Sequence, residues 1–221
     1  MDNLEKCFEQ HSFDELNNID YDMLHNAVSF YLNKFNNKES VIFDIGSNSG
    51  SFVNVLKSFN ITNNIVCFEP HPVISKKTKE VYNYINMNNY CLGNIDGNID
   101  IYIPKWSVGL SSIINRPVFN KLNQEITVLN VKCEKLDTYC ELNNINEIGF
   151  IKIDVEGAEK TIFEGAEKML KNKKILCGIF EIGQTLLDAN TSEEEIIQLL
   201  EGYGYIIDKT KFKSDYLFYL P

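Results

Sequence analysis

From residue 41 onward, short apolar runs alternate with stretches whose apolar residues recur every three or four positions. The runs are Val41–Ile45, Ile65–Phe68, a strand near Tyr90–Leu92, Phe150–Ile153 and Ile175–Ile182. Between and after them, Phe52–Phe59, Val73–Ile85, Leu136–Leu142, Ala158–Leu170 and Ser192–Glu201 read as helices. Strand and helix in alternation predict an α/β fold, a parallel sheet whose crossover helices cover both faces. Asn98–Ile103 and Ile126–Val131 alternate with a period of two, which predicts a hairpin-like insertion around a long loop, 104–125. Gly204–Ile207 and Tyr216–Leu220 are joined by too few residues for a crossover helix, so they must pair antiparallel. Ahead of all this, Leu24, Ala27, Val28, Tyr31, Leu32 and Phe35 form one helical stripe. The pattern divides the chain into an N-terminal helical extension, residues 1–40, and one domain, residues 41–221.

Composition narrows the class. The 221 residues are 44% hydrophobic and 12% aromatic, enough to bury a core and too apolar for a disordered chain. Acidic residues outnumber basic ones 31 to 21, a net charge of −10, which argues against a nucleic-acid partner because phosphate contacts need clustered Lys and Arg. Six cysteines (Cys7, Cys67, Cys91, Cys133, Cys140, Cys177) form no Cys-x-x-Cys pair and mostly sit in apolar runs, so buried thiols in a reducing compartment are expected. No secretory leader and no apolar run of membrane-spanning length are evident, and a soluble, cytoplasmic protein with no membrane partner is expected. Asn and Lys are abundant and Arg116 is the sole arginine, a bias that lowers the weight of any single Asn or Lys.

The chemistry concentrates where the first strand ends. Val41–Ile45 runs into Asp-Ile-Gly-Ser-Asn-Ser-Gly (44–50), and a helix follows, a turn that brings backbone close to a ligand. Nineteen residues after Gly50 the next strand ends in Glu69, where a carboxylate can accept both hydroxyls of a ribose. Together these features predict a nucleoside-containing cofactor. Gly46-x-Asn48-x-Gly50 is tighter than the dinucleotide fingerprint, and Ser51 and Phe52 occupy the place where a pyrophosphate would need glycine. S-adenosylmethionine fits better: Asp44 suits its ammonium group and the turn amides its carboxylate. A nicotinamide-dependent oxidoreductase and a non-catalytic nucleoside-binding module remain open on these residues alone.

The motifs, taken in series, resemble the FkbM family of methyltransferases. They are Asp-Ile-Gly-Ser-Asn-Ser-Gly (44–50), Val-Cys-Phe-Glu-Pro-His-Pro (66–72), Cys-Leu-Gly-Asn-Ile-Asp-Gly-Asn-Ile-Asp-Ile-Tyr-Ile (91–103), Ile-Lys-Ile-Asp-Val-Glu-Gly-Ala-Glu (151–159), Phe-Glu-Gly-Ala (163–166) and Phe-Glu-Ile (180–182). Ser47 and Ser49 depart from it, standing where the family often has Ala and Ile or Val. The resemblance implies a class I methyltransferase (Rossmann-like) fold, seven strands, mostly parallel with an antiparallel C-terminal strand. It also implies methyl transfer from S-adenosylmethionine, usually to a hydroxyl of a small molecule or sugar, a saccharide or glycan precursor among them.

Residue roles follow from position. Asp44, Gly46, Asn48, Gly50, Glu69 and Asn94 are expected at the cofactor, Asn94 because adenine contacts commonly follow the third strand in class I enzymes. Asp154, at the C-terminal tip of a central strand, is expected as the base that takes the hydroxyl proton, with Lys152 on the same strand face and Glu181 ending the neighbouring strand. The same acids could hold a divalent cation, but direct base catalysis is the expectation and no metal ligand is assigned. The bland alternative makes Lys152 and Glu156 a structural ion pair and Asp154 a cap for the helix at Ala158. Trp106, Arg116, Ser112 and Glu156 are expected to face the acceptor, Arg116 by pairing with an anionic one such as a nucleotide sugar. His71 reads as a turn histidine fixed between two prolines.

Overall fold

A computed structural model describes residues 21–117, 119 and 125–221; Cys7, Lys121 and the first twenty residues of the N-terminal extension lie outside them. Seven strands form the main sheet in the order β3-β2-β1-β7-β8-β10-β9. They are β1 (Val41–Ile45), β2 (Ile65–Phe68), β3 (Asn86–Asn88), β7 (Ile148–Ile153), β8 (Ile175–Glu181), β9 (Ile206–Asp208) and β10 (Asp215–Tyr219). Neighbours from β3 to β8 pair parallel, whereas β10 runs antiparallel to both β8 and β9. This is the class I methyltransferase sheet.

Both sheet faces are covered, because the central strands are apolar on both sides. Phe43, Ile45, Ile151, Ile153, Phe180 and Phe218 face one core with helices α4 (Leu136–Leu142), α5 (Glu159–Glu164), α6 (Glu167–Lys171) and α8 (Glu193–Gly202). Ile42, Phe150, Cys177, Ile179 and Leu217 face the other with α1 (Tyr21–Lys34) and α2 (Ser51–Ser58). The predicted stripe is the buried face of α1: Leu24, Ala27, Val28 and Tyr31 are at most 1% exposed.

A second sheet, in the order β4-β6-β5, is built from β4 (Cys91–Gly93), β5 (Gly97–Pro104) and β6 (Ile126–Lys135). The β5–β6 pair is the predicted insertion hairpin, antiparallel from Gly97 opposite Cys133 to Pro104 opposite Ile126. The strand expected near Tyr90–Leu92 is corrected: Cys91–Gly93 leaves the main sheet to pair with β6, and polar Asn86–Asn88 takes the edge instead. An edge strand needs no continuous apolar run, so Asn-Met-Asn carries no signal of its own. The helix expected over Val73–Ile85 is α3 (Pro72–Val81), and that over Ala158–Leu170 is broken in two. The break falls at Gly165, where a Cβ would stand 1.9 Å from the Gly93 carbonyl oxygen, so the helix backbone rests directly on β4. Between Gln184 and Asp188 a short helix, α7, follows β8.

Candidate active site

Alternation along the strands places the site. Asp44 pairs with Lys152, Lys152 with Ile179, and Glu181 with Asp215, so the side chains of Asp44, Lys152, Asp154, Glu181 and Asp215 share the α1–α2 face. The apolar residues preceding them on that face fill the core, and the polar ones emerge at the carboxyl ends of the parallel strands. There Lys152, Asp154, Glu181 and Asp215 border a cavity of about 540 Å³, while Asp44 stays fully buried off its wall. Its wall includes Gly46, Asn48, Glu69, Lys152, Asp154, Glu156, Glu181 and Asp215, with Ser107–Ile113 from the insertion on the far side.

The turn after β1 requires glycine at its first bend. Gly46 has φ +76°, and a Cβ there would lie 1.8 Å from the Asp154 carbonyl oxygen, so the tips of β1 and β7 touch. The amides of Gly46 and Ser47 both donate to the Phe68 carbonyl (3.0 and 3.1 Å), and Gly50 N donates to Ser47 O (2.8 Å). Asn48 N donates to Glu69 Oε2 (2.9 Å), while Glu69 Oε1 accepts from His71 N (2.8 Å). The expectation that these turn amides receive the methionine carboxylate is therefore corrected: four of them are already engaged by the protein. Glu69 retains a free lone pair on each oxygen for a ribose diol. Burial pushes its carboxyl up to about 7, against the pull of the two amides.

Asp44 is fully buried and neither carboxylate oxygen has a hydrogen-bond partner; Lys152 Nζ stands 3.7 Å from Oδ1. Burial raises its carboxyl to about 6 and the Lys152 charge opposes the rise. Lys152 also donates to Asp154 Oδ2 at 3.0 Å. Burial weakens the ammonium, but Asp154 and Asp44 prevail and hold it above its ordinary value.

Beyond Asp154 the chain turns through Glu156, whose φ is +56°. Arg116 Nη1 donates to Glu156 Oε2 at 2.7 Å and its Nε to Asp188 Oδ2 at 3.2 Å. Ser112 Oγ donates to the Glu156 carbonyl (2.8 Å), which ties the insertion loop to this turn. Burial, then Asp154, moves Glu156 up to about 7; burial, then Asp154 and Glu156, moves Glu181 up to about 9. One ligand atom each from Asp154, Glu156 and Glu181 lie within 4.8 Å of one another, the only such group of three among the described residues. The bland alternative is corrected too. Glu156 pairs with Arg116 rather than Lys152, and the amides ahead of α5 go to Glu159 Oε1 from Val155 (3.1 Å) and Gly157 (3.3 Å), not to Asp154.

Five expected site residues stand off the cavity wall: Asp44, Gly50, Asn94, Trp106 and Arg116. Asn94 is exposed and donates to Glu164 Oε2 (2.8 Å); Cys91 and Leu92 of β4 line the wall in its stead. Trp106 packs edge-on against Phe119 at 6.0 Å, and Arg116 is held by its two acids. His71 caps α3: its Nδ1 accepts from Ile74 N at 3.4 Å, so the neutral ring carries its proton on Nε2, and burial pulls it down to about 4. Asp215, unassigned by sequence reasoning, lines the cavity opposite Glu181. Its only sequence signal is register, legible once β10 is known to pair antiparallel with β8.

The model of the FkbM methyltransferase domain matches residues 44–207, about three quarters of the chain. The chain belongs to the FkbM methyltransferase family. Among curated relatives, this FkbM protein is 24% identical over 183 residues to the 2-O-methyltransferase NoeI of Sinorhizobium fredii, covering 76% of this chain and 74% of that one. It is 25% identical over 177 residues to Methyltransferase 1 of Beauveria bassiana, covering 68% and 71%. Human N-acetylserotonin methyltransferase in complex with S-adenosylmethionine aligns at a TM-score of 0.48 and 11% identity, over 94% of this chain and 54% of that one. A Clostridium acetobutylicum S-adenosylmethionine-dependent methyltransferase aligns at 0.48 and 10%, over 92% and 93%. S-adenosylmethionine is the cofactor of this FkbM methyltransferase, and the nicotinamide reading falls away. The residues fit it: Glu69 has acceptor capacity to spare, and Asp44 and Asn48 Oδ1 are buried acceptors without hydrogen-bond partners. Among the described residues, no helix is long and apolar enough to cross a membrane.

Proposed function

We propose that this methyltransferase methylates a hydroxyl oxygen on a small molecule or a sugar or glycan precursor. The observation that carries the reading is Asp154, a carboxylate on the cavity wall at the tip of β7, hydrogen-bonded to Lys152 and flanked by Glu156 and Glu181. NoeI, a 2-O-methyltransferase by name, supports oxygen as the acceptor atom. Bound, S-adenosylmethionine supplies a methyl group on a sulfonium, already activated for displacement. The protein then has to align the hydroxyl and remove its proton. Asp154 accepts that proton. Lys152 orients Asp154 through its hydrogen bond, while Glu181, protonated at neutral pH, donates a hydrogen bond to the acceptor.

In this reading Glu69, Asn48, Asp44 and the bend from Gly46 to Gly50 hold the cofactor, and Ser112 and Glu156 shape the acceptor end. The test is Asp154→Asn: turnover should fall by a factor of about 10² or more while S-adenosylhomocysteine binds within a few fold of the parent. Equal losses in both would make Asp154 a cofactor ligand or a structural group instead.

A further inference from the structure

We propose that the acceptor enters as a neutral or amino-bearing hydroxyl compound, and that phosphorylated and carboxylated hydroxyl compounds are rejected. This rests on the methyl-transfer reading above and names the substrate class of the same cavity.

Charge along the wall carries it. Five carboxyl side chains line the cavity, Glu69, Asp154, Glu156, Glu181 and Asp215, and Lys152 is the only Lys, Arg or His among the described residues that does. That single cation is committed: its ammonium lies 3.0 Å from Asp154 and 3.7 Å from Asp44, and its side chain is 5% exposed. Arg116 is the other cation near the acceptor end, and it is committed as well. Glu156 and Asp188 take its Nη1 and Nε, its guanidinium carbon sits 5.6 Å from the centre of the Phe119 ring, and its side chain is 8% exposed. To pair with a cation among the described residues, an anionic substrate would have to strip one of these buried pairs and leave a carboxylate unpaired, which is strongly unfavourable.

The other polar groups on the acceptor side are hydroxyls, those of Ser107, Ser111, Ser112 and Ser214. Ser111, Ser112 and Ser214 already donate to the Val108 carbonyl, the Glu156 carbonyl and Asp215 Oδ2, so these three present acceptor lone pairs, which serve a hydroxyl or ammonium donor and repel a phosphate. The raised values of Glu156 and Glu181 point the same way, since the field at this end already resists negative charge. An entering ammonium group relieves that field, whereas an entering phosphate adds to it.

The experiment separates a small-molecule extract of the source cells by ion exchange into anionic, neutral and cationic pools. Each pool is offered to the protein with methyl-labelled S-adenosylmethionine. Label per mole of hydroxyl compound should be at least tenfold higher in the neutral or cationic pool than in the anionic one. A smaller preference, or a reversed one, overturns the inference. If no pool takes label while calorimetry shows S-adenosylhomocysteine bound, the hydroxyl-methylation reading itself fails and this inference falls with it.

Discussion

Glu69 illustrates how one side chain serves both the turn and the ligand. Its oxygens fix the Asn48 and His71 amides, and in the proposed reading the same oxygens would accept a ribose diol. Glu69→Ala should weaken S-adenosylhomocysteine binding at least about tenfold, roughly 1.4 kcal/mol, measured by calorimetry; unchanged affinity would remove the ribose assignment. The carboxylate is the better acceptor and its folded value lies near 7, so affinity should rise severalfold between pH 6 and pH 8 and lose that dependence in Glu69→Ala. Arg116 behaves as a structural clamp. Arg116→Ala strands Glu156 and Asp188 together and should lower stability by about 3 kcal/mol in denaturant titration. These two residues also mark what a sequence discloses. The place of Glu69 beside the glycine bend was legible because it depends on a distance along one strand–turn–helix unit. The partners of Arg116 lie 40 and 72 residues away, and no local pattern encodes a pairing of that kind.

At the scale of elements, backbone contact explains the strongest motif strings. The Asp-Ile-Gly bend is fixed because Gly46 abuts the Asp154 carbonyl, and Phe-Glu-Gly-Ala because Gly165 abuts the Gly93 carbonyl. Gly46→Ala should therefore force β1 and β7 apart at their tips and cost about 3 kcal/mol or more, with cofactor binding lost even where the fold survives. Thermal unfolding with and without S-adenosylhomocysteine reads both effects. Apolar rhythm disclosed the central strands and the insertion hairpin, and a connection too short for a crossover helix disclosed the closing antiparallel pair. It did not disclose β3, an edge strand of two asparagines and a methionine, nor the departure of β4 into a second sheet. That choice is made by the partner strand β6, whose paired residues lie 42 positions downstream, Cys91 opposite Cys133. The placing of Asn94 follows from it, because the apolar pattern offers β4 as the third strand of the main sheet, a place that β3 holds.

The whole molecule carries a cluster of acids that it holds at a cost to its own stability. Asp44 is raised to about 6, Glu69, Glu156 and Glu159 to about 7, and Glu181 to about 9, in every case chiefly by burial. Each binds its proton more tightly folded than unfolded, so between the ordinary carboxyl value and the folded one every rise in pH favours unfolding. His71, lowered to about 4, acts oppositely below its ordinary value and is outnumbered. The ligand-free protein should thus melt several degrees higher at pH 6 than at pH 8; a melting temperature that rises over that interval would contradict the burial that lifts these groups.

The central claim is that the bend after β1 and the carboxylate after β2 together grip the adenosyl half of S-adenosylmethionine. Isothermal titration of the purified protein with S-adenosylhomocysteine tests it most directly. One site per chain is predicted, weakened by Glu69→Ala and retained by Asp154→Asn. No measurable heat of binding from folded protein, or binding indifferent to Glu69, would contradict it.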